Sequence, residues 1–187
     1  MAVTSLDAKS ALIVIDLQQG IVALPSAHPA HEVVKRAAAL ADAFRRHGLP
    51  VVLVNVDGAP PGRVEQVRRF TQFPPGWTDL LPELNLHAQD HRVTKRTWGA
   101  FSNTGLEEYL RKQGVTQVVI AGVSTSIGVE STARQAYELG LNVTLAVDAM
   151  TDVSLDAHTN SIARIFPRLG ETGTTGEIID LLDQTRI

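Results

Sequence analysis

Short aliphatic runs alternate along this chain with stretches whose apolar residues recur every three or four positions, and that alternation constrains the fold more than any other feature. Leu12 to Ile15, Val51 to Val56 (VVLVNV), Gln117 to Ala121 (QVVIA) and Asn142 to Val147 have the length and aliphatic content of strands buried on both faces. Between the first two, Ala30 to His47 sets Val33, Val34, Ala37, Ala41 and Phe44 at helical spacing before a stop at Gly48. Further helices are predicted at about Leu106 to Gln113, after Gly128, near Asp156 to Ile165 and over Glu177 to Leu182, and His91 to Thr94 reads as a short strand leading to Lys95. Strands that alternate with helices make right-handed βαβ units. The predicted class is therefore α/β, a three-layer α/β/α sandwich around a mostly parallel, doubly wound sheet.

A chain of 187 residues, 44% hydrophobic, can bury one substantial core, and no linker or charge run divides it, so residues 1–187 are expected to form one domain. Net charge is -3, and Arg63, Arg68 and Arg69 form a local cluster and not a basic face, which argues against a nucleic-acid partner. No apolar run is long enough for a membrane span, and Met1 to Ser10 lacks the apolar core of a secretory signal; a cytoplasmic protein is expected. The chain contains no cysteine, which removes disulfides, thiolate metal sites and a cysteine nucleophile together. From Asp57 to Asp90, Pro60, Pro61, Pro74, Pro75, Gly76 and Pro82 interrupt every period, with room for a helical turn between Val64 and Phe70. Such a segment usually covers a site or a subunit contact, and Phe70, Phe73 and Trp77 favour the second.

Two charged residues fall where an open α/β sheet binds ligands, at the carboxyl ends of strands. Asp16 follows the first strand, where a turn cap explains it as well as a functional role does, and Lys95 ends the strand-like stretch from His91, where a solvated charge or an ion-pair member is the commoner reading. After the QVVIA strand, Gly122 breaks the run, Ser124, Thr125 and Ser126 offer cap-type oxygens, and Val129, Ala133, Ala136 and Tyr137 resume helical spacing. Position 128 is thus expected at or near a helix N-terminus, where unpaired backbone N–H groups stabilise an anion or a polarised carbonyl.

These pieces together resemble the isochorismatase-like hydrolase superfamily. The resemblance rests on ALIVIDLQ (Ala11 to Gln18), TKRTWGAF (Thr94 to Phe101), Gly122, Val123, Gly128, Thr132 and Ala133, and VTLAVDA (Val143 to Ala149). It implies a catalytic set of Asp16, Lys95 and Gly128, with Gly128 where many members carry a nucleophilic Cys. It further implies substrate contacts from Trp98, Val123, Ser124, Ser126 and Ile127, and a cis peptide between Val123 and Ser124. Isochorismatases likewise carry Gly in place of the Cys, which points to vinyl ether hydrolysis: Asp16 as acid, Lys95 as its electrostatic partner, and products pyruvate and a ring alcohol. Ser124 stands where isochorismatases have an aromatic residue, and Arg63 or Arg96 could meet a dianionic substrate. Two alternatives stay open: an amide or ester hydrolase using water or a serine (Ser124 or Ser126) as nucleophile with Asp16 as base, and a binding protein without activity.

No cofactor is implied. Nicotinamidases, relatives that hold a metal with an Asp and two His after the second strand, have no match here, because Asn55 to Gly62 offers Asp57 and no His. The remaining His residues, including His28, His31, His47, His87 and His91, read as turn or helix-end residues, and no Gly-rich phosphate loop is present. The expected partner is a small-molecule substrate, and the superfamily resemblance implies a homo-oligomer, dimer or tetramer.

Overall fold

Six parallel strands form the centre of the computed structural model, which describes residues 3–66 and 73–184. They are β1 (Ser10–Ile15), β2 (Val51–Val56), β3 (His91–Lys95), β4 (Gln117–Val123), β5 (Asn142–Thr151) and β6 (Glu171–Gly173), in the spatial order β3-β2-β1-β4-β5-β6. Every pairing is parallel, from Ile13↔Val52 and Ile15↔Gly122 in the middle to Val56↔Lys95 and Leu145↔Thr172 at the flanks. The helices are α1 (Gln19–Val22), α2 (Ala30–Arg46), α3 (Leu106–Lys112), α4 (Glu130–Glu138), α5 (Leu155–Asn160) and α6 (Thr175–Gln184).

Side chains alternate across the sheet and create two cores. Leu12 and Val14 of β1 face α2 (Val33, Ala37, Leu40, Phe44) and α6 (Ile178, Leu182). Ala11, Ile13 and Ile15 face α3 (Leu106, Leu110) and α4 (Ala133, Ala136). Every residue of β1 is buried, which explains why the run is continuously apolar: both faces remove apolar surface from water, at about 2 kcal/mol for each large aliphatic side chain. The three-layer, doubly wound class is the one expected. Among the described residues no helix is long and apolar enough to cross a membrane.

Several details depart from the expected pattern. The sheet is wholly parallel among the described strands, and β6 is a three-residue strand too short to be legible in sequence. β5 continues beyond Val147 to Thr151 through a register shift between Ile120 and Gly122 on β4. The helix expected near Asp156 to Ile165 divides into α5, a π-helical turn over Ser161–Ile165 and a 3-10 turn over Phe166–Arg168. Pro167 has no N–H to continue an α-helical ladder. Residues 64–66 carry no helix, and the rest of the turn expected between Val64 and Phe70, with Arg68, Arg69 and Phe70, lies outside the described residues.

The proline-rich segment is pinned at both ends. The Arg45 guanidinium of α2 grips the buried Asp90 carboxylate with Nε and Nη2 at 3.0 and 2.8 Å. The buried Gln18 amide accepts the Val56 N–H (2.7 Å) and donates to the Val56 and Trp77 carbonyls at 3.0 and 3.3 Å. The half-buried Trp77 ring stacks on Phe73 and covers Gly20, where a Cβ would overlap the indole.

Gly122 is where the sheet demands glycine. Its φ is +118°, and a Cβ there would overlap the Ile15 carbonyl oxygen on β1. Gly122→Ala combines a disfavoured backbone region with a backbone clash, and it should cost about 3 kcal/mol or more. Urea denaturation checks this, and a loss under 1 kcal/mol would show that the strands can separate there.

Candidate active site

The chain leaves β1 toward β2 on one side and later returns through β4 on the other, so the two neighbouring carboxyl ends of β1 and β4 mark the point where strand order reverses. Loops diverge at such a point and leave a crevice for a ligand. Asp16 is the first residue beyond β1, and the turn containing Gly128 follows β4.

Asp16 has φ +51°, the left-handed region, while its N–H donates to the Val54 carbonyl at 2.9 Å. A non-glycine residue there costs on the order of 1 kcal/mol, least for Asn and Asp. The conformation turns the carboxyl out of the strand's alternation and holds it over the sheet edge. Lys95 ends β3, two strands away, opposite Val56, and its long side chain spans the width of β2. Its Nζ donates to Asp16 Oδ2 at 2.7 Å and to the Thr97 carbonyl at 3.2 Å. Asp16 is 5% exposed and Lys95 2%.

The pair is asymmetric. Oδ2 holds the ammonium, whereas Asp16 Oδ1 is buried with no hydrogen-bond partner. Burial raises the Asp16 pKa from 3.8 to about 6, and the charge and hydrogen bond of Lys95 restrain that rise. An unpartnered buried carboxyl oxygen with a pKa near neutrality is suited to exchange a proton with a bound molecule.

Gly128 completes the group. A Cβ at this position would stand 3.4 Å from Asp16 Oδ2, 3.4 Å from the Val123 carbonyl and 2.9 Å from Ile15 Cγ2. The three residues Asp16, Lys95 and Gly128 are therefore brought together. Gly128 lies not in the first turn of α4 but in a π-helical turn, Thr125–Val129, just ahead of it. The peptide between Val123 and Ser124 is cis.

The three hydroxyl residues act differently from the helix caps expected of them. Ser124 makes no side-chain cap bond; its carbonyl accepts the N–H groups of Ile127 and Val129 at 3.1 Å each. Thr125 Oγ1 pairs with His158 Nδ1 at 2.8 Å. Burial, and then the neighbouring His28, hold the His158 pKa below its ordinary value, against the opposing pull of Asp152. The N–H and hydroxyl of Ser126 both donate to Asp152 Oδ2, at 2.8 and 2.9 Å.

The remaining expected substrate contacts are more varied. Val123 is buried, Ser124, Ser126 and Ile127 are half-buried, and Trp98 is 61% exposed on the loop after Lys95. Phe101 of the same loop packs against the second core. Arg96 forms a two-pronged ion pair with Asp57, which holds that carboxyl below its ordinary pKa, and Arg63 is exposed. No group of three His, Asp or Glu side chains among the described residues is arranged to hold a metal.

Asp152, His158, Thr132 and Gln135 were not singled out as site residues by the sequence. Asp152 lies five residues beyond the predicted end of its strand, and a strand continued to Thr151 would have exposed it as another acid on the carboxyl edge. His158 and Gln135 join the site through contacts between elements distant in sequence, and Thr132 through one such contact and a local bond to the Gly128 carbonyl.

Comparison with known proteins finds relatives that share the fold. The family model described as the isochorismatase domain matches residues 10–177. The isochorismatase family protein YecD of Escherichia coli O157:H7 is 41% identical, over 95% of this chain and 98% of its own. A solved isochorismatase family protein from Burkholderia thailandensis superposes with a TM-score of 0.93 at 39% identity, covering 96% of this chain and 98% of that one. N-carbamoylsarcosine amidase from Thermoplasma acidophilum has a TM-score of 0.75 at 25% identity, covering 89% of this chain and 96% of that one.

Proposed function

This chain belongs to the isochorismatase family and is a hydrolase, and we propose that it cleaves a vinyl ether of the isochorismate type, with Asp16 as proton donor and water as nucleophile. One observation carries the reading: the Asp16 carboxyl, with a pKa near 6 and Oδ1 unpartnered, has its Oδ2 side against a position occupied by glycine and so by no side-chain nucleophile. Gly128 would stand in the place of the family's cysteine.

A vinyl ether needs no protein nucleophile. Protonation of its methylene carbon generates an oxocarbenium ion, which water attacks. With the Lys95 ammonium on Oδ2, the transferable proton resides on Oδ1. It passes to the methylene carbon, water adds to the cation and returns a proton to Asp16, and the hemiketal collapses to pyruvate and the ring alcohol. Lys95 stabilises the carboxylate left after transfer. At pH 7 roughly one-tenth of Asp16 would carry the proton, given a pKa of about 6.

The pH profile tests the direction of proton transfer. As a general acid, Asp16 must be protonated, so kcat/KM for pyruvate release should be level below about pH 6 and fall about tenfold per unit above it. As a general base for water attack on an amide or ester, it would give a rate that rises through the same pH. The similarity to N-carbamoylsarcosine amidase favours that second reading. Pyruvate release that rises through pH 6 would reverse the proposed role of Asp16.

A Ser126 nucleophile with Asp16 as its base is disfavoured because the Ser126 hydroxyl is donated to Asp152 and not to Asp16. Ser126→Ala should keep turnover within about threefold while lowering stability by about 1 kcal/mol, the typical contribution of one hydrogen bond. A loss of a thousandfold would make Ser126 the nucleophile.

A further inference from the structure

Thr132 and Gln135 lie about one turn apart on α4 and reach the same loop, residues 97–102. The Thr132 side chain is fully buried, and its hydroxyl donates to the Gly128 carbonyl at 2.7 Å. A helical threonine often bonds to the carbonyl four residues back, and by itself that contact would mean little. The same oxygen, however, also accepts the Ala100 N–H at 3.1 Å, from a loop 32 residues away in sequence. Gln135 adds a second grip. Its Oε1 accepts the Phe101 N–H at 3.1 Å, its Nε2 donates to Ser102 Oγ at 2.7 Å, and a Cβ on Gly99 would overlap the amide.

The other end of this loop touches the acid–lysine pair. The Thr97 hydroxyl donates to the Gly99 carbonyl at 2.8 Å, and the Thr97 carbonyl accepts Lys95 Nζ at 3.2 Å. An unbroken set of hydrogen bonds and short backbone steps therefore runs from Gly128 through Thr132, Ala100, Gly99 and Thr97 to Lys95 and Asp16.

We propose that Thr132 is a positioning residue that couples the Gly128 turn to the Lys95 ammonium through the 97–102 loop, with Gln135 as a second clamp on that loop. The proposal rests on Asp16 being the proton-transferring group, and neither Thr132 nor Gln135 touches the substrate. If the clamp is released, the Thr97 carbonyl no longer fixes Nζ, and the opposing charge that restrains Asp16 weakens. Lost hydrogen bonds alone would lower stability and leave the acid unchanged.

The test is a pH titration of Asp16 in protein labelled with 13C-aspartate, the resonance being assigned by its absence from Asp16→Asn. Thr132→Val preserves the side-chain shape and removes both hydrogen bonds; the Asp16 midpoint is expected to move upward by about half a unit or more. Thr132→Ser keeps the hydroxyl and should restore the parent midpoint. Gln135→Met, at a half-buried position, should shift the midpoint in the same direction by less, and it carries the test if Thr132→Val does not fold. A lowered thermal midpoint with an unmoved Asp16 titration in these variants would overturn the proposal. No substrate is used, so failure to detect pyruvate would count against the reaction and leave this result readable.

Discussion

Asp16→Asn is expected to reduce pyruvate release from isochorismate by about 10³-fold, in the middle of the range for loss of a positioned general acid. That corresponds to about 4 kcal/mol of transition-state stabilisation. Asn is the substitution to make because it tolerates the left-handed backbone of Asp16 and its amide oxygen can still accept from Lys95 Nζ. The loss should therefore occur with the fold retained, as circular dichroism and the thermal midpoint would show. A loss below tenfold in a folded variant would contradict the assigned role, because no other acid side chain is bonded to Lys95 among the described residues.

The second large effect concerns stability and its dependence on pH. Lys95→Met removes the cation that restrains the Asp16 pKa and leaves the buried carboxyl without a counter-charge. In the parent, the folded state binds the Asp16 proton more tightly than the unfolded chain, since the pKa is about 6 against 3.8. Stability from this group is thus present at low pH and lost as pH rises toward 6. In the variant the folded pKa lies higher still, so its loss continues where that of the parent has ended. Parent and variant should differ least near pH 5 and diverge above pH 6, reaching about 2–3 kcal/mol at pH 8. Urea unfolding at both pH values measures the divergence, and a gap independent of pH would mean that Asp16 and Lys95 are not coupled as described.

The parts of the fold that were legible are those where both faces of an element are buried. β1, β2 and β4 read directly as aliphatic runs, and α2 as a spaced stripe ending at Gly48, because burial dictated their composition. β6 was not legible: Glu171, Thr172 and Gly173 carry no apolar pattern, and only pairing with β5 makes them a strand. The π turn at Thr125–Val129 falls on residues that read as caps ahead of the helical pattern from Val129, and it is held by Ser126 on Asp152 and Thr125 on His158, contacts that local sequence does not encode.

The same distinction runs through the site. Asp16 and Lys95 stood out at strand ends but were paired only through the family resemblance, and their direct contact follows from the order β3-β2-β1, which puts one strand between them. The free Oδ1, the displaced pKa and the clamp from Thr132 to Ala100 depend on which groups meet in three dimensions. Trp98 illustrates the limit in the opposite direction, since its position beside Lys95 in sequence leaves it largely exposed to solvent.

Asp16 as proton donor with water as nucleophile is tested most directly by incubating isochorismate with the parent and with Asp16→Asn in H₂¹⁸O and analysing both products by mass spectrometry. The account predicts pyruvate from the parent, little or none from Asp16→Asn, and a ring alcohol free of ¹⁸O, because water attacks the enolpyruvyl carbon and the bridging oxygen stays with the ring. No pyruvate from the parent, equal pyruvate from the variant, or ¹⁸O in the ring alcohol would contradict it.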